Sequence, residues 1–105
     1  MNIPSTVKVG GKVYTVKCVP HPVVVGGREC YGSIDYNEQI ISICTNGNSA
    51  QQQFNTFLHE LVHAISYERM IDWGDKDEEY TESLAKGLHA LIVDNNVTMS
   101  GASTP

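Results

Sequence analysis

Apolar and polar residues alternate through the first half of the chain and switch to a three-to-four-residue recurrence in the second. The change of period marks strands first and helices after, because side chains alternate across a strand and return to one helix face about every 3.6 residues. Val7 to Val9 and Lys12 to Val19 flank Gly10-Gly11, a pair that accepts the positive φ values of a two-residue hairpin turn. Tyr14, Val16 and Cys18 share one face of the second of these strands. Pro20-His21-Pro22 interrupts pairing, since proline has no amide hydrogen to donate. Val23 to Val25 is β-branched but soon ended by Gly26-Gly27. Glu29 to Asp35 and Gln39 to Cys44 predict a second hairpin about Tyr36-Asn37-Glu38, and Ile40, Ile41 and Ile43 give its return strand a buried character.

Thr45-Asn46-Gly47-Asn48 is a turn, and Ser49 with Gln52 three residues later forms a capping box that opens a helix. Phe54, Leu58, Leu61, Val62 and Ile65 lie along one side of it as an apolar stripe, and the helix is expected to end shortly after Tyr67. Asp72 to Lys76 is a polar connection in which Trp73 is placed to clamp two helices together. A second helix starts near Asp75 or Asp77, where acidic residues favour the helix dipole, and Tyr80, Leu84, Leu88 and Leu91 are its predicted buried face. The fold class that follows is α+β: a small N-terminal β-sheet, then two antiparallel helices. One domain is expected over residues 1–98, with a small, polar, disordered tail over 99–105.

Composition narrows the function classes. The 105 residues carry a net charge of −5 and no Lys/Arg cluster, which argues against direct nucleic-acid binding and against an anionic membrane surface. No apolar run is long enough to span a bilayer, and Met1-Asn2-Ile3-Pro4-Ser5 lacks the pattern of a signal peptide. Cys18, Cys30 and Cys44 are odd in number and lack Cys-x-x-Cys spacing, so a reducing cytoplasm is expected and the three read as small strand fillers.

The chemistry is concentrated in His59-Glu60-Leu61-Val62-His63. Histidines four residues apart on a helix point the same way, about one turn apart, so two imidazoles can hold one metal ion. Glu60 lies beside that ion as a general base, and zinc lowers the pKa of a bound water to roughly 7. Catalytic zinc takes three protein ligands, so a third is needed. A second helix returning antiparallel would bring a carboxylate from its opening turns, and Glu79 and Glu82 are the best placed. An oxyanion donor is expected from Tyr67, Tyr80 or His89, although the spacing of His89 puts it on the surface. His21, between two prolines, reads as exposed.

With these residues in view, the chain resembles the small bacterial and phage metallopeptidases of the zincin type, near the immunity-repressor-cleaving and SprT-like groups. The resemblance rests on Tyr31-Gly32-Ser33-Ile34-Asp35-Tyr36, on Phe57-Leu58-His59-Glu60-Leu61-Val62-His63-Ala64-Ile65, and on the stretch from Glu79 to Leu88. It covers Val7 to about Asn95. It implies a minimal zincin-like domain that hydrolyses a peptide bond of a protein or peptide substrate in the cytoplasm of a bacterial host cell. It further implies zinc held by His59, His63 and a glutamate, with Glu79 favoured over Glu82 by its distance from the Leu84-to-Leu88 run. Two other functions fit the same residues: a zinc-stabilised module without catalysis, and a regulatory partner that docks through a sheet edge.

Overall fold

Two glycine pairs set the N-terminal half. In the computed structural model, which describes residues 3–98, Gly10 and Gly11 have φ of 57° and 86°, and Gly26 and Gly27 have 58° and 79°. Both pairs therefore occupy the left-handed region that a tight hairpin turn requires. The first joins β1 (Thr6–Val9) to β2 (Lys12–Val19) and the second joins β3 (Val23–Val25) to β4 (Arg28–Cys30), each pair antiparallel. The β3–β4 hairpin stands apart from the main sheet.

The stretch expected as one strand from Glu29 to Asp35 is two. It breaks at Tyr31, so that Arg28–Cys30 pairs backwards with β3 while β5 (Gly32–Asp35) pairs forwards with β6 (Ile40–Cys44). The main sheet has the order β1-β2-β6-β5, with β2 and β6 parallel and β5 on one edge. Tyr14, Val16, Ile41 and Ile43 bury themselves against the first helix. Cys44 is also buried, whereas Cys18 is exposed, so the filler role expected of all three cysteines holds for Cys44.

Ser49 caps helix α1 (Ala50–Glu68) through the expected box: its hydroxyl accepts from the Gln52 amide, and its own amide donates to the Gln52 side chain. Phe54, Phe57, Leu58, Leu61, Val62 and Ala64 fill the core, while Ile65 lies half exposed at the end of the stripe. A 3-10 turn over Gly74–Lys76 leads into α2 (Asp77–Asp94). Trp73 does bridge the helices, donating from Nε1 to Ser66 Oγ at 3.1 Å and meeting Tyr80 edge-on.

Helix α2 does not bury the face its leucines predict. Tyr80, Leu84, Leu88 and Leu91 are 37–57 % exposed, and the buried row is Thr81, Ala85, His89 and Ile92. Each buried residue follows an expected one by a single position, a turn of about 100° on the helix. Thr81 and Ala85 are small, and they let α2 lie close against α1. The domain is thus α+β, as expected, and no helix among the described residues is long and apolar enough to cross a membrane. Residues 99–105, expected as a disordered tail, lie outside the described part.

Candidate metal centre

The side of α1 that carries Asn55, His59 and His63 faces α2, and the two helices pack against each other. His59 and His63 stand one turn apart with ring centroids 4.9 Å from each other. The carboxylate that meets both is Glu78: its oxygens lie 3.0 Å from His59 Nε2 and 2.9 Å from His63 Nε2. One ligand atom from each of His59, His63 and Glu78 falls within 4.8 Å of the others.

Glu79, expected as the third ligand, is not at this point. Its carboxylate turns outward to Lys76 Nζ at 3.3 Å. One residue is about 100° of helix, which carries Glu79 away from the side that Glu78 presents to α1. Glu82, four residues after Glu78, shares its side and takes a different place: Oε1 lies 2.8 Å from His59 Nδ1. Asp77 Oδ2 lies 3.7 Å from His63 Nδ1.

Each imidazole therefore has one nitrogen toward its own carboxylate and the other toward Glu78. A neutral His59 that donates from Nδ1 to Glu82 turns a lone pair, not a hydrogen, at the Glu78 oxygen. Two lone pairs at 3.0 Å repel unless a positive charge lies between them, which a second proton on the ring or a metal ion would each supply. Four carboxylates (Glu60, Asp77, Glu78, Glu82) gather about two imidazoles, which strengthens the demand for a cation. Two neutral imidazoles plus a carboxylate, with outer carboxylates orienting the rings, is a donor set that fits zinc. In His59 burial works against the proton, but the Glu82 hydrogen bond and the surrounding carboxylates raise its pKa on balance.

Glu60 projects from α1 toward the sheet edge and is buried. No donor among the described residues reaches its carboxylate, and burial pushes its pKa up to about 7. A cation held beside it would favour the ionised form again. Gly32 opens β5 directly above: a Cβ there would stand 2.5 Å from Thr56 Cγ2 and 3.3 Å from Glu60 Oε2. Gly32→Ala is accordingly expected to cost about 1–3 kcal/mol, as overpacked sites do, while moving Thr56 and Glu60. A denaturant titration measures this loss, and an unchanged midpoint would show that Thr56 yields freely.

An open cleft leads to these residues, walled by the β3–β4 hairpin, β5 and the Asp35–Asn37 turn on one side and by α1 and α2 on the other. Of the residues expected to supply an oxyanion donor, Tyr67 and His89 line the cleft, whereas Tyr80 is half exposed against Trp73. His89 is buried rather than on the surface, edge-on to Phe54, because it belongs to the row that packs against α1. Its Nε2 has no hydrogen-bond partner among the described residues. His21 is exposed as expected.

Sequence reasoning missed Tyr36. Its ring stacks on Tyr67 at 4.1 Å, and burial together with the charges of Glu60 and Asp77 pushes its pKa up to about 12. The Tyr36 phenol is thus held as a donor on the cleft wall. A tyrosine in a hairpin turn carries no sequence signal for this, because its distance from Glu60 depends on the return of the sheet edge to α1. Comparisons of the chain with protein-family models, with curated proteins and with solved structures returned no match.

Proposed function

We propose that the protein is a zinc-dependent peptidase of the zincin type, with His59, His63 and Glu78 as metal ligands and Glu60 as general base. The observation that carries this reading is the Glu78 carboxylate facing the Nε2 atoms of both histidines, at 3.0 and 2.9 Å, beside a buried glutamate with no structural partner. Zinc, when bound, supplies Lewis acidity to an attacking water and to the scissile carbonyl. Glu60 takes the proton from the attacking water and passes it to the leaving amine, a task suited to a carboxylate whose pKa is tuned toward the working pH. Glu82 orients the His59 imidazole through Nδ1, and Asp77 places a further carboxylate 3.7 Å from His63 Nδ1. Tyr36, protonated at neutral pH, can donate to the developing oxyanion.

The cleft holds about 1830 Å³. That exceeds the ~300–1,000 Å³ of ordinary small-molecule pockets and suits an extended stretch of polypeptide. The open shape, with a sheet edge on one wall, points the same way, and the substrate class we propose is a protein or peptide. A purely structural metal site would have no use for Glu60. A zinc-stabilised module without catalysis would show the same metal content and no Glu60-dependent cleavage.

The test begins with the metal. Elemental analysis of purified protein is expected to find one zinc per chain, and His59→Ala and His63→Ala are each expected to lose it. Full metal content in both variants would sink the proposal. Proteolysis of an unfolded protein such as casein, before and after chelation, then separates the enzyme from the inert module.

A further inference from the structure

Helix α2 presents two flanks besides the row that packs on α1. One carries Glu78 and Glu82 to the metal centre. The other carries Tyr80, Leu84, Leu88 and Leu91, which are 41, 45, 37 and 57 % exposed. These four recur at intervals of four, four and three residues, so they form one continuous stripe about 16 Å long. Leucines scattered singly on a surface need no explanation, but a stripe of four on one helix does.

Gly87 borders this stripe in the middle of α2. A Cβ at that position would meet nothing within 4 Å. A glycine inside a helix costs about 1 kcal/mol relative to alanine. No contact among the described residues accounts for that cost, whereas a second backbone brought close against this flank would.

We infer that two copies of this chain pair through α2, antiparallel, about a twofold axis that passes near residues 85 to 87. The stripe is symmetric about that point. Leu84 and Leu88 lie equally far on either side of it, and so do Tyr80 and Leu91 within half a residue. An isologous contact demands this self-complementarity: Leu84 meets the partner's Leu88, and Tyr80 meets the partner's Leu91. Antiparallel pairing also separates the two acidic first turns (Asp77, Glu78, Glu79) by the length of the helix, where parallel pairing would set them side by side. The small side of the helix at Gly87 lets the two backbones approach.

Area supports a dimer of modest affinity. The four side chains leave on the order of 400 Å² exposed, at the scale of a functional surface patch. Two copies bury about 800 Å² of these side chains, below the ~1,200 Å² of standard specific interfaces and in the range of weak, transient pairs. The stripe is turned away from Glu78 and Glu82, so both clefts stay open in the pair. The inference does not depend on the metal or on catalysis.

Sedimentation velocity on the full chain, from about 1 μM to 1 mM, tests it. Wild-type mass is expected to climb from 11.5 kDa toward twice that value, and Leu84→Glu and Leu91→Glu should each hold it at the monomer. Both positions are exposed, so circular dichroism melts should show these variants folded; Lys17→Glu, on the exposed side of β2, should dimerise as wild type does. Gly87→Ala should raise the thermal midpoint yet weaken association at least 10-fold. A wild-type chain that stays monomeric throughout would overturn the inference and leave the stripe to a different protein. A dimer that survives both glutamate substitutions, or is unaffected by Gly87→Ala, would overturn the paired register.

Discussion

Glu60→Gln is expected to lower peptide hydrolysis by about 10²- to 10⁴-fold, the contribution of a positioned general base, while leaving zinc content and fold intact. The carboxylate is separated from the ligand cluster: the histidines meet Glu78, whereas Glu60 projects toward β5, beside the position that Gly32 keeps free of a side chain. An amide of the same shape fills that space. It also removes a carboxylate whose ionisation burial opposes, since desolvation is the largest cause of the raised Glu60 pKa. Stability should therefore hold or rise slightly, which keeps loss of activity from being confused with unfolding. Cleavage of casein, metal analysis and a thermal melt on one preparation read all three quantities. A variant that cleaves at the wild-type rate would acquit Glu60 and end the proposed mechanism. A wild-type protein that binds zinc but shows no Glu60-dependent cleavage would favour the non-catalytic module.

The parts of this fold legible in the sequence are those that local chemistry decides. The Gly10-Gly11 turn, the Ser49–Gln52 box and the stripe from Phe54 to Val62 each depend on residues within a turn or two of one another, and all three form as expected. His59 and His63 face the same way for the same reason. The break at Tyr31 was not legible, because nothing in Glu29 to Asp35 says that its halves have different partners.

Helix α2 shows a subtler failure. The four large apolar residues Tyr80, Leu84, Leu88 and Leu91 outweigh Thr81, Ala85, His89 and Ile92 on any hydrophobic scale, so the pattern names the wrong face. Burial went to the row whose small members let α2 lie close to α1. That rotation is set by the tertiary contact, not by the helix's own hydrophobicity. It decides which acids reach the histidines: Glu78 and Glu82 do, whereas Glu79, favoured by the resemblance, turns outward to Lys76. The small row and the glycine bordering the leucines have a common consequence. One flank of α2 faces the candidate metal centre and the opposite flank is left apolar, as a surface shared with a second copy would be.

Glu78→Ala is expected to release the metal, and the three acids of this turn should separate cleanly in competition against a chelator. Glu78 is the one carboxylate whose two oxygens each face an imidazole Nε2, so its loss removes a direct ligand and leaves two. Glu82 touches His59 through Nδ1, the nitrogen away from the Glu78 oxygen, so in the proposed site it would orient the ring rather than hold the metal. Loss of such an outer partner typically weakens affinity about 10- to 100-fold, or roughly 1.4–2.7 kcal/mol. Glu79 pairs with Lys76 on the exposed side of the helix, a contact worth about 0–1 kcal/mol to stability, so Glu79→Ala should bind zinc as wild type does. The expected order of zinc affinity is therefore wild type and Glu79→Ala together, then Glu82→Ala, then Glu78→Ala far below. Glu78 is itself largely exposed, so its removal should leave the apo fold as stable as wild type in a thermal melt with chelator present. If Glu79→Ala releases the metal while Glu78→Ala retains it, the assignment of Glu78 as the third ligand is wrong. The proposed pairing of two chains rests on the leucine stripe and would stand without that ligand assignment.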